Sequence, residues 1–319
     1  MRKTRFIFLS ALFAMIIVSS CKKEDPVVEA DLLSQEVESV VAISNLPAYI
    51  TATDLYSKIT AQQAPYMFDI RAAADYSDGH IEGAANVSAS DLLSEVETNV
   101  SNMSDEIVVI CYSGQSAAFG ASLLKLSGYT NVKSLKFGMT SWHSDFDSWS
   151  GNVSTYYAQF LETTENTKPE EGNLPEINTG FETAEEILDS RIETVMTEGF
   201  GAYAIAASAV TDSPSNYHIA NYWPVAHYTS PGHIEGSFCY VPGESLTLAT
   251  DLKTLPTDET VVVYCYTGQT SAWVSAYLAV LGYDVKSLKF GANSMFTGDL
   301  PSSNWNAETM VAGYDYVSN

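Results

Sequence analysis

Two cysteines stand in near-identical contexts that suit nucleophilic chemistry. Cys111 begins the stretch Cys-Tyr-Ser-Gly-Gln-Ser-Ala, and Cys265 begins Cys-Tyr-Thr-Gly-Gln-Thr-Ser. Each follows an apolar run that predicts a strand and precedes a run that predicts a helix. Loop amides and the unpaired N–H groups of the first helical turn would converge on the sulfur, and their positive potential favours thiolate over thiol. We therefore expect two reactive thiols; a buried cysteine at a strand end is the alternative.

The cysteine stretches belong to a longer internal repeat. The sequence Gly-His-Ile-Glu-Gly occurs at residues 79–83 and again at 232–236, and Lys-Ser-Leu-Lys-Phe-Gly occurs at 133–138 and 286–291. The offset between copies is 153 residues for both pairs and 154 for the cysteines. Such a constant offset predicts a duplicated domain.

The elements that must position the cysteines follow one pattern in both copies. Short continuous apolar runs at residues 66–70, 107–110 and 261–264 alternate with amphipathic segments of helical period. This alternation predicts an α/β fold of two tandem domains, each a mostly parallel sheet flanked by helices on both faces. The expected boundaries are a signal peptide at 1–20, a lipidated cysteine and tether at 21–29, a first domain at 30–162, a linker at 163–182 and a divergent second domain at 183–319.

The N-terminus predicts export and lipid attachment. Arg2, Lys3 and Arg5 precede an apolar stretch at residues 6–18 that is short for a membrane span. The Val-Ser-Ser-Cys sequence ending at Cys21 resembles the lipobox of bacterial lipoproteins, which implies cleavage before Cys21 and a lipid on its sulfur. A plain signal peptide is the alternative. We expect a lipid-anchored protein of the cell envelope, on the periplasmic or the surface face of the outer membrane.

Composition and cysteine count exclude some classes of function and assign most of the cysteines. The formal net charge of −24 argues against a nucleic-acid partner, and 46% hydrophobic with 17% charged residues indicates a globular chain. Of the four cysteines, Cys21 is assigned to lipid and Cys111 and Cys265 to the loops. Cys239 is then either a small buried residue or a resolving thiol for Cys265.

The first half carries a series of short motifs in order: Phe68-Asp-Ile-Arg71, Asp75-Tyr76, Gly79-His-Ile-Glu-Gly-Ala84, the loop from Cys111 to Ala117, and Gly138 with Trp142. With these motifs and their partial repetition, each half of the chain resembles a rhodanese domain, the fold of thiosulfate sulfurtransferases and persulfide carriers. The resemblance covers most of residues 45–150 and, more weakly, 199–300. It implies that a loop cysteine attacks a sulfane sulfur, becomes a persulfide and passes the sulfur to a thiol or cyanide.

Carried over by position, the resemblance makes Cys111 and Cys265 the catalytic nucleophiles. The loop residues that would present amides to substrate or persulfide are Tyr112, Ser113, Gly114, Gln115, Ser116 and Ala117, and Tyr266, Thr267, Gly268, Gln269, Thr270 and Ser271. No cofactor or metal is implied, and the partners would be a small sulfur-containing anion and a thiol acceptor. The alternative is a sulfur-relay or binding module without turnover.

The loops depart from the family in carrying no arginine or lysine to bind an anion. Lys136 and Lys289, each at the end of a predicted strand, are candidates for that role or else solvated edge lysines. His80 and His233 belong to a structural turn in the family, so we expect neither to be a catalytic base.

Related folds place Cys-x5-Arg in such a loop for phosphatase or arsenate reductase chemistry. Here Ala117 and Ser271 follow the five intervening residues. Without a guanidinium to hold a tetrahedral dianion, that chemistry is disfavoured. A dithiol redox role for Cys111 and Cys265 stays open.

The second half has diverged around its cysteine. Where the first half has Asp-Ile-Arg, the second reads Asn221-Tyr-Trp223, and Met295 replaces Trp142. Tyr222 and Trp223 predict buried core more strongly than an aromatic wall of the site. The first cysteine is therefore the firmer expectation, and the second is expected to have altered access or substrate.

Overall fold

A computed structural model describes residues 28–319, so the predicted signal peptide, Cys21 and nearly all of the tether lie outside the described residues. The strands are β1 Tyr49–Ile50, β2 Tyr66–Asp69, β3 Ala85–Asn86, β4 Ile107–Ile110, β5 Val132–Leu135, β6 Ala204–Ile205, β7 His218–Asn221, β8 Phe238–Cys239, β9 Val261–Tyr264 and β10 Val285–Leu288. They form two sheets of five strands, ordered β1-β5-β4-β2-β3 and β6-β10-β9-β7-β8. Every neighbouring pair is parallel.

Helices cover both faces of each sheet. They are α1 Glu29–Val40, α2 Ala52–Thr60, α3 Ala73–Asp78, α4 Leu92–Asn99, α5 Gln115–Leu126, α6 Met139–Trp142, α7 Ala184–Ala202, α8 Ala207–Thr211, α9 Val225–Thr229, α10 Gln269–Val280, α11 Asn293–Phe296 and α12 Ala307–Met310. Successive residues of β4 enter different cores: Val109 packs with residues of α5, and Val108 packs with Leu55 and Trp142. A strand buried on both sides explains the continuous apolar runs, and the predicted α/β fold is confirmed.

The two domains share one continuous core through α1, α5, α7 and α10. Helices α5 and α10 pack against each other at the interface, where small residues such as Ala121 and Ala276 are fully buried and allow close approach. The hydroxyl of Ser122 donates to the carbonyl of Trp273 at 2.9 Å. The helices that follow the two cysteine loops therefore lie side by side.

The segment that follows each domain in the chain packs against the other domain. Residues 154–162, assigned by sequence to the first domain, pack on the second: Tyr157 joins its core, and Glu162 forms an antiparallel bridge with His233. The C-terminal residues pack on the first domain, where Tyr314 stacks on Tyr56 and Val317 bridges His80. The expected linker at 163–182 contains neither helix nor strand.

Among residues 28–319, none of the helices has the length and apolar character needed to cross a membrane.

Candidate active site

Each candidate nucleophile follows the central strand of its sheet. Cys111 comes directly after β4, and the Cys111 sulfur accepts hydrogen bonds from the N–H groups of Gly114 at 3.1 Å and Ala117 at 3.3 Å. Gly114 has φ 84° immediately before α5, a left-handed conformation that residues with a Cβ rarely adopt. The predicted convergence of main-chain donors on the first thiol is therefore present.

The second cysteine has a related but different environment. The Cys265 sulfur accepts from the N–H of Ser271 at 3.3 Å, and its thiol lies 3.7 Å from the hydroxyl oxygen of the same serine. That hydroxyl is also 2.8 Å from the hydroxyl of Ser287. In the first loop Ala117 stands at the position of Ser271, so this serine pair belongs to the second loop alone.

Both thiols are closed off from solvent in this arrangement. Cys111 and Cys265 are each 2% exposed. Burial raises the pKa of the Cys111 thiol, although hydrogen bonds from Ser116, Ala117, Gly114 and Ser113 act in the opposite direction. The expected low pKa at Cys111 is therefore wrong for the closed loop, because the cost of desolvating a thiolate exceeds the gain from the converging donors.

A tight turn after β5 packs against the backbone of the first cysteine. Phe137 and Gly138 have φ 62° and 61°. A Cβ on Gly138 would lie 2.3 Å from the carbonyl oxygen of Cys111, so only glycine fits there. Met139 then donates its N–H to that carbonyl at 2.8 Å. The repeated Lys-Phe-Gly sequence is therefore part of the cysteine site.

A buried ion pair lies beside the first loop. Asp69 and Arg71 pair at 2.7 Å with side chains 0% and 1% exposed, and the guanidinium also donates to the carbonyl of Gly79. The Arg71 guanidinium carbon lies 5.0 Å from the ring centroid of Tyr112. Burial and a hydrogen bond with Asp75 raise the pKa of Tyr112. Sequence reasoning missed Asp75 as a partner of the loop tyrosine.

The second loop has uncharged counterparts at these positions. Strand register places Asn221 where the first sheet has Asp69, and Trp223, which is 0% exposed, stacks on Tyr266. The interpretation of Trp223 as core is confirmed. His227, on α9, hydrogen-bonds the Tyr266 hydroxyl through Nδ1, and burial raises the pKa of Tyr266 to about 12.

The other loop residues divide between self-contacts and contacts with the opposite domain. Ser113 accepts hydrogen bonds from Gln115 and, through its carbonyl, from the indole of Trp149. Thr270 contacts the hydroxyl of Tyr49, a residue of the first domain, at 2.9 Å. No pattern in the sequence indicated Trp149 or Tyr49, because both come from segments that are distant along the chain from the loops they contact.

The two candidate lysines do not reach the thiols. The Lys136 amine lies 5.5 Å from the ring centroid of Phe137, and Lys289 is exposed. In the part of the chain that the structure describes, neither amine forms a hydrogen bond or ion pair with a cysteine loop. The anion-binding role for which these lysines were candidates therefore has no contact to support it.

The two histidines of the repeated turn are buried and stacked. His80 packs on Tyr76 with ring centroids 3.6 Å apart, and His233 packs on Tyr228 at 3.5 Å. In each case Nδ1 meets the carbonyl of the same tyrosine. Both histidines stabilise the turn through these contacts, which is the structural role that the resemblance implied.

Cys239 is separate from the loops. Its thiol faces the carbonyl of Trp223 at 3.6 Å, and burial raises its pKa to about 11. All three cysteines within residues 28–319 are free, so no disulfide joins Cys239 to Cys265. Over the same residues, no group of three or more His, Cys, Asp or Glu side chains is arranged to hold a metal ion.

Several known proteins are similar to parts of this chain. The thiosulfate sulfurtransferase GlpE of Shewanella oneidensis is 31% identical over 86 residues, which cover 27% of this chain and 83% of that protein. The thiosulfate sulfurtransferase PspE of Escherichia coli is 27% identical over 70 residues, covering 22% of this chain and 67% of that protein. A solved structure of thiosulfate sulfurtransferase from Pseudomonas aeruginosa is 16% identical, with a TM-score of 0.31, and is matched over 87% of this chain and 49% of that one.

The rhodanese-like domain model matches twice, at residues 51–145 and 213–295. These two stretches contain both central strands, both cysteine loops and both supporting glycine turns. The chain therefore belongs to the rhodanese family and carries two rhodanese-like domains in tandem.

Proposed function

We propose that this chain is a sulfurtransferase that moves sulfane sulfur through a cysteine persulfide, from thiosulfate or a polysulfide-type donor to a thiol or cyanide acceptor. Membership of the rhodanese family and similarity to thiosulfate sulfurtransferases support the sulfur-transfer role. Cys111 is the principal nucleophile, and Cys265 is a second one with different neighbours.

The observation that carries this proposal is the pair of N–H donors aimed at the Cys111 sulfur. Donors fixed in place around a sulfur stabilise negative charge there without any reorganisation during the reaction. The same curled backbone that holds a thiolate would hold the outer sulfur of a persulfide. Because the loop has no cationic side chain, main-chain dipoles supply this stabilisation.

The chemistry has two balanced steps. The Cys111 thiolate attacks the outer sulfur of thiosulfate; a new S–S bond forms, the bond to the sulfonate sulfur breaks, and sulfite leaves with the electron pair. Cyanide then attacks the outer sulfur of the persulfide, which yields thiocyanate and regenerates the thiolate. A thiol acceptor would take the sulfur in the same way after losing its proton.

Cyanolysis of thiosulfate tests the assignment. Cys111→Ser should lower thiocyanate production by at least about a hundredfold relative to the wild type, and the double variant with Cys265→Ser should remove the remainder. Cys239→Ser is the matched control and should retain activity. If the double variant turns over like the wild type, the loop cysteines are not the nucleophiles.

The near-complete burial of both thiols favours a second candidate, a sulfur-relay module that holds persulfide without useful turnover of thiosulfate. Mass spectrometry after incubation with polysulfide separates the two. A relay module gains the mass of one sulfur atom on the Cys111 or Cys265 peptide yet shows little cyanolysis. Absence of that adduct contradicts both forms of the proposal.

The proposal extends to location: a lipid on Cys21 would tether the domains to the cell envelope. Its support is the lipobox-like sequence ending at Cys21. Cys21→Ser should move the protein from the membrane fraction to the soluble fraction of the producing cells. If the variant stays in the membrane fraction, the lipid anchor on Cys21 is wrong.

A further inference from the structure

Gln115 and Gln269 do not face the sulfur of their own loops but cross the domain interface. The Gln115 Oε1 atom accepts a hydrogen bond from the N–H of Phe290 at 2.7 Å, and Gln269 Oε1 accepts from the N–H of Phe137 at 2.8 Å. Both glutamines are buried. A Cβ on either loop glycine would lie 2.5 Å or less from the opposite Oε1, so the contact depends on the bare glycine backbone.

The residue that Gln269 contacts belongs to the turn that supports the first cysteine. Phe137 has φ 62°, a left-handed conformation that residues with a Cβ rarely adopt and that needs support from its surroundings. The next residues bind the loop backbone: Met139 donates to the carbonyl of Cys111 at 2.8 Å and Thr140 to that of Tyr112 at 3.1 Å. Gln269 therefore contacts, from the other domain, the turn whose next residues are hydrogen-bonded to the backbone of the first nucleophile.

The equivalent series of hydrogen bonds connects Gln115 to the second cysteine. Phe290 has φ 60°. Beyond it, Ala292 donates to the carbonyl of Cys265 at 2.9 Å and Asn293 to that of Tyr266 at 3.1 Å. Each loop therefore supplies the hydrogen bond that holds the supporting turn of the other loop.

Trp149 fills the space between the two turns. Its ring lies 5.1 Å from Phe137 and 5.0 Å from Phe290, edge to face with both, and its indole N–H donates to the carbonyl of Ser113 at 3.2 Å. The indole is fully buried. Close packing of this kind leaves little room for one turn to move independently of the other.

We propose that Gln115 and Gln269 are positioning residues, each for the cysteine of the opposite domain, and that the pair keeps both thiols closed together. This rests on the proposed function in that the closed thiols are the sulfur-carrying groups. Because energetic coupling between sites is reciprocal, loosening one glutamine contact opens the opposite loop, and a change at that loop feeds back through the other glutamine.

The test measures the alkylation rate of individual cysteines by iodoacetamide, with peptides resolved by mass spectrometry, in a Cys265→Ser background. Adding Gln269→Met removes the acceptor oxygen without altering any residue of the first domain. The loss of one buried hydrogen bond should raise the Cys111 rate by about threefold to tenfold. Gln269→Leu also lacks the acceptor oxygen and should raise the Cys111 rate by a similar factor, so that the effect is assigned to the lost hydrogen bond and not to the shape of methionine.

Two controls separate this effect from general loosening. Gln63→Ala changes an exposed glutamine of the first domain and should leave the Cys111 rate unchanged. Cys239, buried in the second domain, reports global unfolding and should keep its rate in Gln269→Met. The proposal is overturned if Gln269→Met leaves Cys111 unchanged, if Gln269→Leu leaves Cys111 at the background rate, or if Cys239 accelerates by the same factor.

The reciprocal pair completes the test: in a Cys111→Ser background, Gln115→Met should accelerate Cys265 by a similar factor. If it does not, the coupling runs in one direction only and the proposal of a mutual pair is wrong. Alkylation needs no sulfur donor, so these results stand even if cyanolysis shows that the protein does not turn over thiosulfate.

Discussion

The indole of Trp223 stacks on the phenol ring of Tyr266, with ring centroids 4.8 Å apart and planes at 12°. At the same place in the first domain, the guanidinium of Arg71 lies 5.0 Å from the ring of Tyr112. An uncharged aromatic contact thus replaces a charged one next to the second cysteine. The two loops share a backbone path while the groups behind their tyrosines differ in charge, which gives the two sites different electrostatic surroundings.

The second domain also shows how to remove the buried ion pair of the first. Arg71→Trp should lower the free energy of unfolding by about 3–5 kcal/mol, because it leaves the Asp69 carboxylate buried without its partner. The double variant Asp69→Asn, Arg71→Trp copies the residues of the second domain and should recover at least about 1 kcal/mol of that loss. Urea denaturation of the single and double variants measures both values. If the double variant recovered none of the stability lost in Arg71→Trp, the two side chains would not be energetically coupled.

The sequence predicted the elements whose pattern is local. Residues 107–110 and 261–264 form strands with the expected bounds, and a glycine with positive φ opens the helix after each cysteine. These features follow from short apolar runs and from small residues at a turn, which a single stretch of sequence reveals. The internal repeat also predicted the tandem arrangement of two domains, because matching motifs in the two copies must occupy equivalent positions.

The sequence could not predict features that depend on how the halves meet. Gln115 and Gln269 were expected to present amides to the persulfide, but nothing in the sequence indicated that their side chains bind the opposite domain. The low pKa expected at Cys111 rested on its main-chain donors alone, whereas the thiol is 2% exposed and burial raises its pKa. The exchange of segments that pairs Glu162 with His233 has no local signature either, because the contact is fixed only once both sheets exist.

Gly138 should be intolerant of any side chain. Its φ of 61° and a Cβ only 2.3 Å from the Cys111 carbonyl oxygen mean that Gly138→Ala must displace the turn or the loop. We expect a loss of more than about 1 kcal/mol in stability and at least about tenfold in cyanolysis. Gly151→Ala is the matched control, because nothing lies within 4 Å of its added Cβ. If the two variants were equally active, the turn at Gly138 would not contribute to the active site.

The pH profile of Cys111 alkylation should lie on the alkaline side of a free thiol. Because burial raises the Cys111 pKa, the thiolate fraction at pH 7 is small, and the rate should increase about tenfold per pH unit until above the ordinary value of about 8.5. The Ser116 hydroxyl acts to lower this pKa, so Ser116→Ala should shift the profile further upward. Measured rates that level off below pH 8 would show that the open loop, rather than the closed one, sets the acidity.

His218 should make the second domain sensitive to acid. Burial lowers its pKa to about 4, and the ring is hydrogen-bonded to the Tyr240 hydroxyl at 3.0 Å and stacked on Phe238. The unfolded chain binds the proton near the ordinary value of about 6.5, so the stability from keeping this ring neutral is complete above pH 6.5 and falls as pH drops toward 4.

The predicted size of this loss is about 3 kcal/mol between pH 6.5 and 4, from a pKa difference of about 2.5 at 1.36 kcal/mol per unit. Urea denaturation at a series of pH values measures it. In His218→Gln the stability should fall less steeply over that interval, because no group at this position takes up a proton on unfolding. Gln63→Ala, which changes an exposed residue and removes no titratable group, is the control and should keep the wild-type slope. Parallel curves for the wild type and His218→Gln would mean that the ring is protonated in the folded protein, with Tyr240 accepting its hydrogen bond.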